Sequence, residues 1–452
     1  MSNKPLERYD APVPRYTSYP TAPHFQDGVT AETYADWLTG ISSGETLSLY
    51  FHVPFCAAMC WYCGCHTKVV NRYEPIGDYA KLLRQEVALA ADGIPDGPKT
   101  GPSVVHVHWG GGTPTMLSAD DFSILMDTVR AHFTFADHAE VAVEIDPRTL
   151  TQEMATALAG AGVNRASLGV QDFNTHVQEA INRVQPFEVT EQAINWLHDA
   201  GINAINFDLM YGLPGQTLDD VARSVDLAHT LSPDRLALFG YAHVPWMKTH
   251  MKMIDEGALP NGQERIAQVQ KAAERLVEMG YRAIGLDHFA KADDALSVAL
   301  EEGSLRRNFQ GYTTDEGQTL IGFGASAIGS LPQGYVQNDT SSRGYRRSIE
   351  AGTLPIVRGI ELTDDDKLRR AVIEKLMCGL EADLGALSAE HGQEEAFAPE
   401  LDALEPMVAD GLITVTGKRI HITETGRPLM RTVAAVFDRY LETGIAKHSR
   451  AV

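Results

Sequence analysis

The sequence predicts an α/β fold built on an open, partial (β/α)6 barrel, followed by a mostly helical C-terminal domain that contains a small β-hairpin. Six short apolar segments alternate with amphipathic segments over the first half of the chain. This alternation is typical of a parallel sheet with right-handed crossovers. Six units are fewer than the eight of a closed barrel, so we expect the barrel to stay open. The strands are expected at 47–53, 104–109, 141–145, 165–170, 204–209 and 235–239.

The segments between these strands have helical periodicity, with apolar residues recurring every three or four positions. We expect helices at 78–90, 120–131, 152–159, 190–200 and 217–230. In sheets of this kind, ligands bind at the carboxyl ends of the strands. Cysteines follow the first strand, glycines follow the second and an acid ends the third. The sequence therefore predicts a functional site at that edge of the sheet.

The last hundred residues have a different pattern. Thr363 and the three aspartates after it are typical of a helix N-terminus, and an amphipathic stretch follows at 367–380. Two alternating segments within 411–423 predict a β-hairpin, and a further helix is expected at 426–440. This arrangement resembles a winged helix. We therefore expect three parts: an N-terminal segment that covers the active site (1–45), a main domain (46–355, with the barrel ending near 245 and an extension after it) and a C-terminal domain (356–452).

The chain is strongly acidic, with 38 Lys and Arg against 60 Asp and Glu in 452 residues and a formal net charge of −22. Proteins that bind nucleic acid or anionic lipid normally present a basic surface, so we expect neither as a partner. No apolar run reaches the ~20 residues of a membrane span. The first residues also lack the apolar stretch of a signal peptide. We expect a cytoplasmic protein, because free thiols suit a reducing compartment.

Four cysteines lie within ten residues: Cys56, Cys60, Cys63 and Cys65. The first three have the spacing C-x3-C-x2-C, which supplies three thiolates on one tight loop. A [4Fe–4S] cluster has four irons and is fully ligated by four cysteines, so three cysteines leave one iron free for a small molecule. A disulfide framework needs an oxidising compartment, and a zinc site usually has two separated ligand pairs. The spacing favours an iron–sulfur cluster, with zinc as the alternative.

Three glycines, Gly110 to Gly112, follow the second predicted strand, and Glu144 ends the third. Because glycine has no Cβ, the backbone N–H and C=O groups of such a loop are open to a ligand. The loop does not continue into Gly-Lys-Ser/Thr, so it is not a phosphate-binding loop. A carboxylate beside it suits a cationic sulfonium or ammonium group.

The cysteine spacing on a loop after a strand resembles that of radical S-adenosylmethionine (SAM) enzymes. The additional Cys65, the segment Tyr-Phe-His-Val-Pro-Phe at 50–55 and the segment Pro-Arg-Tyr-Thr-Ser-Tyr-Pro-Thr at 14–21 narrow the likeness. Together they resemble the oxygen-independent coproporphyrinogen III oxidase (coproporphyrinogen dehydrogenase) family of heme biosynthesis. Matching segments recur from about residue 8 to beyond 340. The fold implied is the radical SAM type of open barrel, and the main domain is then the catalytic domain.

This resemblance implies the oxidative decarboxylation of two propionates of coproporphyrinogen III to vinyl groups, giving protoporphyrinogen IX. It implies a [4Fe–4S] cluster held by Cys56, Cys60 and Cys63, and two molecules of SAM. Cys65 is expected to lie near the cluster without binding it and to be needed for activity. A low-potential electron donor, an electron acceptor of unknown identity and a monomeric state are also expected.

The same resemblance implies which residues contact SAM and substrate. Tyr50, Gly111 and Glu144 match residues that contact the first SAM. The residues that match the second SAM site are Tyr62, Gly112, Thr113, Gln171, Arg183, Asp208, Ala242 and Ile328. Arginine binds carboxylates through two parallel hydrogen bonds. The candidate anchors for the substrate propionates are therefore Arg15, Arg306 and Arg307.

Three alternatives stay open. The first is a heme chaperone of the same superfamily, although such proteins typically lack the fourth cysteine and the N-terminal segment, and both are present here. The second is a related radical SAM enzyme that modifies heme. The third is a non-catalytic zinc-binding protein with a winged-helix tail.

Overall fold

A computed structural model describes residues 8–9, 11–95, 97–393 and 396–441 of the chain. Its centre is a twelve-stranded sheet. The first ten strands are β1 (Thr46–Val53), β2 (Phe55–Cys56), β3 (Lys68–Val69), β4 (Ser103–Gly111), β5 (Thr134–Ile145), β6 (Arg165–Gln171), β7 (Ala204–Tyr211), β8 (Arg235–Gly240), β9 (Arg282–Ile284) and β10 (His288–Ala290). The remaining strands are β11 (Arg306–Asn308), β12 (Gly311–Thr313), β13 (Thr319–Phe323), β14 (Ile328–Leu331), β15 (Gly334–Asn338), β16 (Ile356–Glu361), β17 (Glu381–Asp383), β18 (Ile413–Thr416) and β19 (Arg419–Ile422).

The helices of the first part of the chain pack on this sheet, and the last four form a separate apolar cluster with the C-terminal hairpin. The helices are α1 (Ala31–Thr39), α2 (Glu74–Asp92), α3 (Gly97–Thr100), α4 (Ala119–His132), α5 (Gln152–Gly160), α6 (Thr175–Ala180), α7 (Phe187–Ala200), α8 (Leu218–Thr230), α9 (Gly262–Glu278), α10 (Ala295–Glu302), α11 (Ser342–Glu350), α12 (Asp364–Gly379), α13 (Leu384–Glu390), α14 (Ala398–Ala409) and α15 (Met430–Ala435). Short 3-10 helices lie at Ala22–His24, Pro114–Met116, Thr249–Met253, Glu256–Ala258 and Arg427–Leu429. Among the described residues, no helix is both long and apolar enough to cross a membrane.

The predicted open barrel is confirmed. Strands β1, β4, β5, β6, β7 and β8 lie side by side in this order, and each pair is parallel. The strands lie where the sequence predicts them, except that β5 begins at Thr134, seven residues earlier than expected. Within the described ranges, no ladder joins the two outer strands β9 and β16, so the barrel is open.

The sheet continues beyond both edges of the barrel. β13 pairs with β1 in parallel, and β14, β15 and β16 follow in antiparallel order. On the other side, β10 and β9 extend from β8 in antiparallel order. The later part of the chain therefore supplies both edges of the sheet.

Burial on both faces explains why these segments form strands. In β1, six of the eight residues are buried, as expected for a parallel strand that is covered on each side. The ring of Phe51 stacks on Trp109 and on Phe323, with centroids 4.1 and 4.8 Å apart. Stacked aromatic side chains bury large apolar areas and join three neighbouring strands into one core.

The C-terminal part agrees with the sequence at two elements and differs at a third. The helix N-terminus at Thr363 is confirmed, because Thr363 and Asp366 form a reciprocal capping box for α12. The hairpin is confirmed as β18 and β19, to which β17 adds a third strand. The helix expected at 426–440 is wrong in extent. After the 3-10 turn that contains Pro428, only Met430–Ala435 is α-helical, because proline lacks a backbone donor and tight turns follow at 436–441.

The N-terminal residues pack against the C-terminal part. Val13, Tyr16 and Tyr19 belong to one apolar cluster with α12 and the β18–β19 hairpin. The Tyr16 hydroxyl donates a hydrogen bond to Asp438 at 3.0 Å. These contacts place residues 12–19 between the barrel and the C-terminal residues, beside the carboxyl ends of the barrel strands.

Candidate active site

A cavity of about 540 Å³ lies at the carboxyl ends of the barrel strands. It contains the cysteine loop after β1, the glycine loop after β4 and the acids at the end of β5. We define this cysteine cavity by Cys56, Cys60, Cys63, Cys65, Gly111, Gly112, Thr113, Glu144, Asp146, Gln171, Arg183, Asp208 and Ala242. The sequence predicts the site at this edge, and the structure brings its residues together there.

The cysteine loop is closed at its base by short strands. β2, which contains Cys56, pairs with β3 in parallel. The N–H of Lys68 donates to the carbonyl of Pro54 at 2.8 Å, and the N–H of Val70 donates to the carbonyl of Cys56 at 3.1 Å. Inside the loop, the N–H of Cys63 donates to the carbonyl of Cys60 at 3.1 Å. The loop backbone is therefore held in a fixed turn with its thiols at the cavity.

Each of the three cysteines of the spacing motif has a donor at its sulfur. The guanidinium groups of Arg148 and Arg183 each donate to Sγ of Cys60 at 3.5 Å. The hydroxyl of Thr113 donates to Sγ of Cys56 at 3.6 Å. Donors and positive charge at sulfur favour the thiolate, which is the form that binds metal.

Cys63 receives the strongest support of this kind. The backbone N–H of Cys65 donates to Sγ of Cys63 at 3.4 Å. Hydrogen bonding from Cys65 lowers the pKa of the Cys63 thiol to about 6, and the nearby His250 and Lys248 act in the same direction. Burial instead raises the pKa of Cys56, in part offset by Thr67 and Thr113. The thiolate is therefore favoured at Cys63, whereas Cys56 would lose its proton only on binding metal.

These residues fit an iron–sulfur cluster better than a single ion. Among the described residues, no three side chains of His, Cys, Asp or Glu converge closely enough to hold one metal ion. A cluster of four irons is wider than one ion and needs its thiolates spread around a cavity. Cys56, Cys60 and Cys63 line the same cavity, which is the arrangement that a cluster requires.

Glu144 ties the end of β5 to the glycine loop. Its Oε2 accepts a hydrogen bond from the backbone N–H of Gly111 at 3.1 Å, and its Oε1 accepts one from the His108 ring at 3.1 Å. Burial opposes ionisation of Glu144, but His108, Gly111 and the His52 ring outweigh it and lower the pKa of the carboxyl group. The cavity therefore has a fixed negative charge at its glycine side.

All three positions of the glycine loop are tightly packed. A Cβ at Gly110 would lie 2.8 Å from Oε1 of Glu144, and one at Gly112 would lie 2.6 Å from the carbonyl oxygen of Phe55. Gly111 has a φ of +110°, which side chains rarely adopt. A Cβ there would lie 2.6 Å from the His52 ring. The loop is therefore fixed by close packing, and its backbone N–H and C=O groups are not covered by side chains. A small ligand can bind to such groups directly.

Four further ionisable side chains face the cysteine cavity: Asp146, Arg148, Arg183 and Asp208. Arg183 contacts the carboxylate of Asp146 at 3.3 Å, and Asp146 also pairs with Arg148 at 2.7 Å. Burial raises the pKa of Asp146, but Arg148 and Arg183 outweigh it and lower the pKa overall. Burial, and then the charge of Glu144, raise the pKa of Asp208 to about 7. The cavity wall therefore contains one carboxyl group that titrates near neutrality.

Four of the expected residues lie outside the lining of this cavity. The Tyr50 hydroxyl contacts Nδ1 of His52 at 3.0 Å, and its ring stacks on His108 with centroids 6.0 Å apart. Ile328 begins β14, in the antiparallel extension of the sheet. Arg306 is exposed on β11. Arg307 donates to the carbonyl of Arg15 at 3.2 Å and lies over the Tyr312 ring at 4.4 Å.

Several residues that the sequence does not assign to the site take part in it. His108 orients Glu144, and Arg148 contacts Cys60. Nε2 of His250 donates to the carbonyl of Cys63 at 2.7 Å, and Nζ of Lys248 donates to the carbonyl of Cys65 at 2.8 Å. Lys248 and His250 lie at the start of the 3-10 helix Thr249–Met253, almost 190 positions from the cysteines, so no spacing rule relates them. His108 and Arg148 lie near the ends of two predicted strands. This position is the one signal in the sequence that could have identified them as site residues.

Comparisons with known proteins agree with this geometry. The chain matches the family model of the Radical SAM superfamily over residues 50–228 and that of the HemN C-terminal domain over residues 362–429. It is 52% identical to the oxygen-independent coproporphyrinogen III oxidase of Bradyrhizobium diazoefficiens over 97% of each chain. It is 43% identical to that of Cereibacter sphaeroides (strain ATCC 17025), covering 99% of this chain and 98% of the other. The structure of coproporphyrinogen III oxidase (HemN) from Escherichia coli, a radical SAM enzyme, is similar with a TM-score of 0.89 and 38% identity, covering 94% of this chain and 98% of the other.

The open barrel, the cysteine loop and these matches define a radical SAM enzyme, a class of oxidoreductases and related catalysts that uses a [4Fe–4S] cluster and SAM. Within this class, the chain belongs to the family of the oxygen-independent coproporphyrinogen III oxidases. The resemblance inferred from the cysteine loop and the N-terminal segment is therefore confirmed. Family membership also decides between the open alternatives in favour of the oxidase.

Proposed function

We propose that this protein catalyses the oxidative decarboxylation of two propionate side chains of coproporphyrinogen III to vinyl groups, giving protoporphyrinogen IX in heme biosynthesis. The observation that carries the proposal is the cysteine cavity, where three cysteines, the glycine loop and Glu144 meet at the carboxyl ends of the strands. The chain shares this layout with a family whose members are named for this reaction. The protein is therefore an oxidoreductase.

Cys56, Cys60 and Cys63 would hold the [4Fe–4S] cluster, and SAM would lie between the cluster loop and the glycine loop. When bound, the cluster and SAM supply the one-electron chemistry that removes a hydrogen atom from the propionate. Backbone groups at Gly111 would bind the amino acid part of SAM, because no Cβ keeps a ligand away. The ionised Glu144 would attract its positive charge.

Two other residues, Tyr50 and Cys65, would position neighbouring groups of the site. Tyr50 contacts His52 and stacks on His108, so it would orient the two rings that flank Glu144. The Cys65 thiol hydrogen-bonds to Cys63 and lines the cysteine cavity, which suits a residue that is needed for activity without itself binding the cluster. Both are positioning residues in this scheme.

A second SAM is part of the proposal. The residues assigned to it that line the cysteine cavity are Tyr62, Gly112, Thr113, Gln171, Arg183, Asp208 and Ala242. Asp208 would attract the cationic sulfonium once ionised, and Arg183 would bind a carboxylate. Ile328 lies outside the lining, so its part in the second SAM site stays a prediction. A low-potential electron donor, an unidentified electron acceptor, a monomeric state and a cytoplasmic location stay predictions.

The test is an anaerobic assay of the reconstituted enzyme with SAM, a low-potential reductant and coproporphyrinogen III. Protoporphyrinogen IX is expected, with about two 5′-deoxyadenosines per product, since SAM is consumed once per propionate. The Cys378→Ser protein is the matched control, because Cys378 is buried outside the cysteine cavity. A brown protein that cleaves SAM and leaves the porphyrinogen unchanged would contradict the proposal.

A further inference from the structure

The loop that follows β8 presents apolar side chains to solvent. Trp246, Met247 and Met253 are 59%, 65% and 59% exposed. Among the described residues these are the three most exposed large apolar side chains, and they lie within one short loop. Met251 of the same loop is buried in an apolar cluster and holds the loop to the barrel. Exposed apolar side chains that lie together usually mark a surface that binds another molecule.

This loop adjoins the cysteine loop. Nζ of Lys248 donates to the carbonyl of Cys65, and Nε2 of His250 donates to the carbonyl of Cys63. Gly64 and Cys65 are exposed, so the cysteine loop reaches the protein surface at this place. The exposed apolar side chains therefore lie on a loop that is hydrogen-bonded to the backbone of an expected cluster ligand.

The two segments that meet here contain no acidic residue. They are 46–73, which includes the cysteine loop, and 235–254, which includes the loop after β8. The other parts of the chain contain all 60 Asp and Glu residues, and the net charge is −22. The composition of these two segments is thus opposite to that of the whole chain.

Three lysines supply positive charge to this surface. Lys68 donates to the Ser342 hydroxyl at 2.9 Å, Lys248 donates to a backbone carbonyl, and Lys252 is exposed. Within the described part of the chain, none of the three forms an ion pair. Burial lowers the pKa of the His66 ring, and the charges of Lys248 and Lys68 act in the same direction. Both ammonium groups therefore lie near this ring, on one side of the cysteine loop.

Two acids directly after the second segment mark the edge of this surface, and both have partners. Asp255 accepts a hydrogen bond from the N–H of Gly257 at 2.9 Å, and Glu256 pairs with His243 at 3.0 Å. They leave the three lysines without a carboxylate partner. We call the surface the lysine patch and define it by Lys68, Lys248, Lys252, Trp246, Met247 and Met253.

The charge and shape of the lysine patch fit a small acidic protein. Two acidic proteins repel each other except where one carries local positive charge, so the patch would steer such a partner to the cysteine loop. A long polyanion such as a nucleic acid would instead meet the acidic surface beyond the patch. Flexible methionine side chains adapt to a partner surface, and the interfaces of transient electron-transfer complexes are small, below about 1,200 Å².

We propose that the lysine patch binds a small acidic protein that carries one electron at low potential, and that this carrier reduces the [4Fe–4S] cluster that the cysteine loop would hold. The inference rests on the proposed function, because that reaction needs one electron for each SAM that is cleaved. In this step the reduced carrier loses one electron and the cluster gains it, while no bond changes and no proton moves. The expected electron donor thus has a class and a place of binding.

The experiment measures binding and electron transfer separately. Reconstituted enzyme is titrated by calorimetry with two oxidised carriers, an acidic [2Fe–2S] ferredoxin and an acidic flavodoxin, at about 50 and about 300 mM salt. Stopped-flow spectroscopy then records how fast each reduced carrier is reoxidised by the enzyme in the presence of SAM. Dithionite, a small reductant that needs no protein-binding surface, drives SAM cleavage in the same samples as the reference.

Two double variants test the lysine patch. One is Lys68→Gln with Lys252→Gln, and the other is Met247→Ala with Met253→Ala. None of these four side chains lines the cysteine cavity.

Each double variant has a matched control on α9, outside the patch. Lys271→Gln removes an exposed charge, and Val277→Ala shortens an apolar side chain that is also exposed. Both controls should bind the carriers like the wild type.

At least one carrier should bind the wild type, and the lysine variant should bind it about tenfold more weakly at low salt. High salt should remove most of this difference, because ions screen exposed charges. Carrier reoxidation should slow by a similar factor, while dithionite-driven SAM cleavage stays at the wild-type rate. The methionine variant should lose affinity at both salt concentrations. Iron content and melting temperature identify variants that fold, and Lys252→Gln alone decides if the double lysine variant does not.

Three results would overturn the inference alone, for a wild-type enzyme that converts coproporphyrinogen III with dithionite. Neither carrier binds the wild type, or the lysine variant binds and reoxidises the carrier like the wild type, or the lysine variant loses dithionite-driven SAM cleavage as well. The last result would make the patch part of the active site. A wild-type enzyme that dithionite reduces without any conversion of coproporphyrinogen III would overturn the proposed function, and the titrations would still report carrier binding by themselves.

Discussion

The carboxylate of Glu144 accepts a hydrogen bond from the backbone N–H of Gly111 at 3.1 Å. This contact joins the ends of two neighbouring parallel strands, β4 and β5, across the mouth of the barrel. It holds the carboxylate of Glu144 beside the backbone of Gly111. We assign both groups to the binding of the same SAM molecule. Because of this contact, even a methyl side chain in the glycine loop would disturb the position of the Glu144 carboxylate.

Gly110→Ala should impair SAM binding. The new Cβ would lie 2.8 Å from Oε1 of Glu144, so the carboxylate must move and its contacts with Gly111 and His108 would weaken. We expect the affinity for SAM to fall about tenfold, the effect of losing one charged hydrogen bond, while the iron content stays normal. Equilibrium dialysis with labelled SAM measures this. Gly160→Ala is the control, since open space surrounds that position, and equal affinities in both variants would refute the prediction.

Binding of SAM near Asp208 should strengthen as the pH rises. Burial, and then Glu144, raise the pKa of Asp208 to about 7, so the group is mostly neutral at pH 6 and mostly ionised at pH 8. A cationic ligand prefers the ionised form, and the affinity should rise about tenfold over this interval. Calorimetric titration at several pH values measures the change. Asp208→Asn should flatten the profile, whereas Asp199→Asn, on the exposed surface of α7, should keep it; a flat wild-type profile would count against the assignment.

Glu86 should make the fold less stable as the pH rises. This buried carboxyl accepts hydrogen bonds from Gly324, Asn338 and Tyr345, yet burial raises its pKa from the usual 4.5 to about 7. The protonated form is thus favoured in the folded state. Its contribution to the free energy of unfolding is fully present below pH 4.5 and is lost as the pH rises through about 7, a change on the order of 3 kcal/mol for such a shift.

Chemical denaturation at pH 5 and pH 8 tests this. Glu86→Gln stays neutral, so its stability should fall less over this interval than that of the wild type. Glu191→Gln, at an exposed position on α7, serves as the control and should follow the wild type. Parallel pH profiles for Glu86→Gln and the wild type would show that Glu86 does not titrate in this range.

Substitution of single cysteines should separate cluster ligands from the fourth thiol. Cys60→Ser removes a sulfur that accepts from Arg148 and Arg183, and the reconstituted protein should lose most of its iron and brown colour. Cys65→Ser retains the backbone N–H that supports Cys63, so it should keep wild-type iron content and lose activity. Iron analysis and electron paramagnetic resonance distinguish the two. Iron loss in Cys65→Ser equal to that in Cys60→Ser would make Cys65 a ligand.

The parts of this molecule that follow local rules could be predicted from the sequence. Barrel strands are buried on both faces, so they appear as short apolar runs, and the cysteine loop has a spacing with a direct chemical meaning. The contact of His108 with Glu144 depends instead on the register between β4 and β5, which no local pattern records. The helix expected at 426–440 failed because Pro428 and the tight turns after Ala435 outweigh its apolar periodicity.

The location of Arg15 was beyond the sequence for a related reason. Arg15 lies in the recognisable segment at 14–21, but that segment does not record that its guanidinium donates to the carbonyl of Gly240. This contact follows from the packing of residues 12–19 between the barrel and the C-terminal residues. Arg306 and Arg307 are adjacent in sequence, yet they face different surroundings in the fold.

The contact between the first and last parts of the chain also bears on biosynthesis. Val13, Tyr16 and Tyr19 pack with residues more than 340 positions later, so on a ribosome they wait until almost the whole polypeptide has emerged. The barrel, whose neighbouring strands are joined by local crossovers, can assemble during that interval. Arg15 then takes its place last, and its contact with Gly240 at the end of β8 forms only after the barrel is complete.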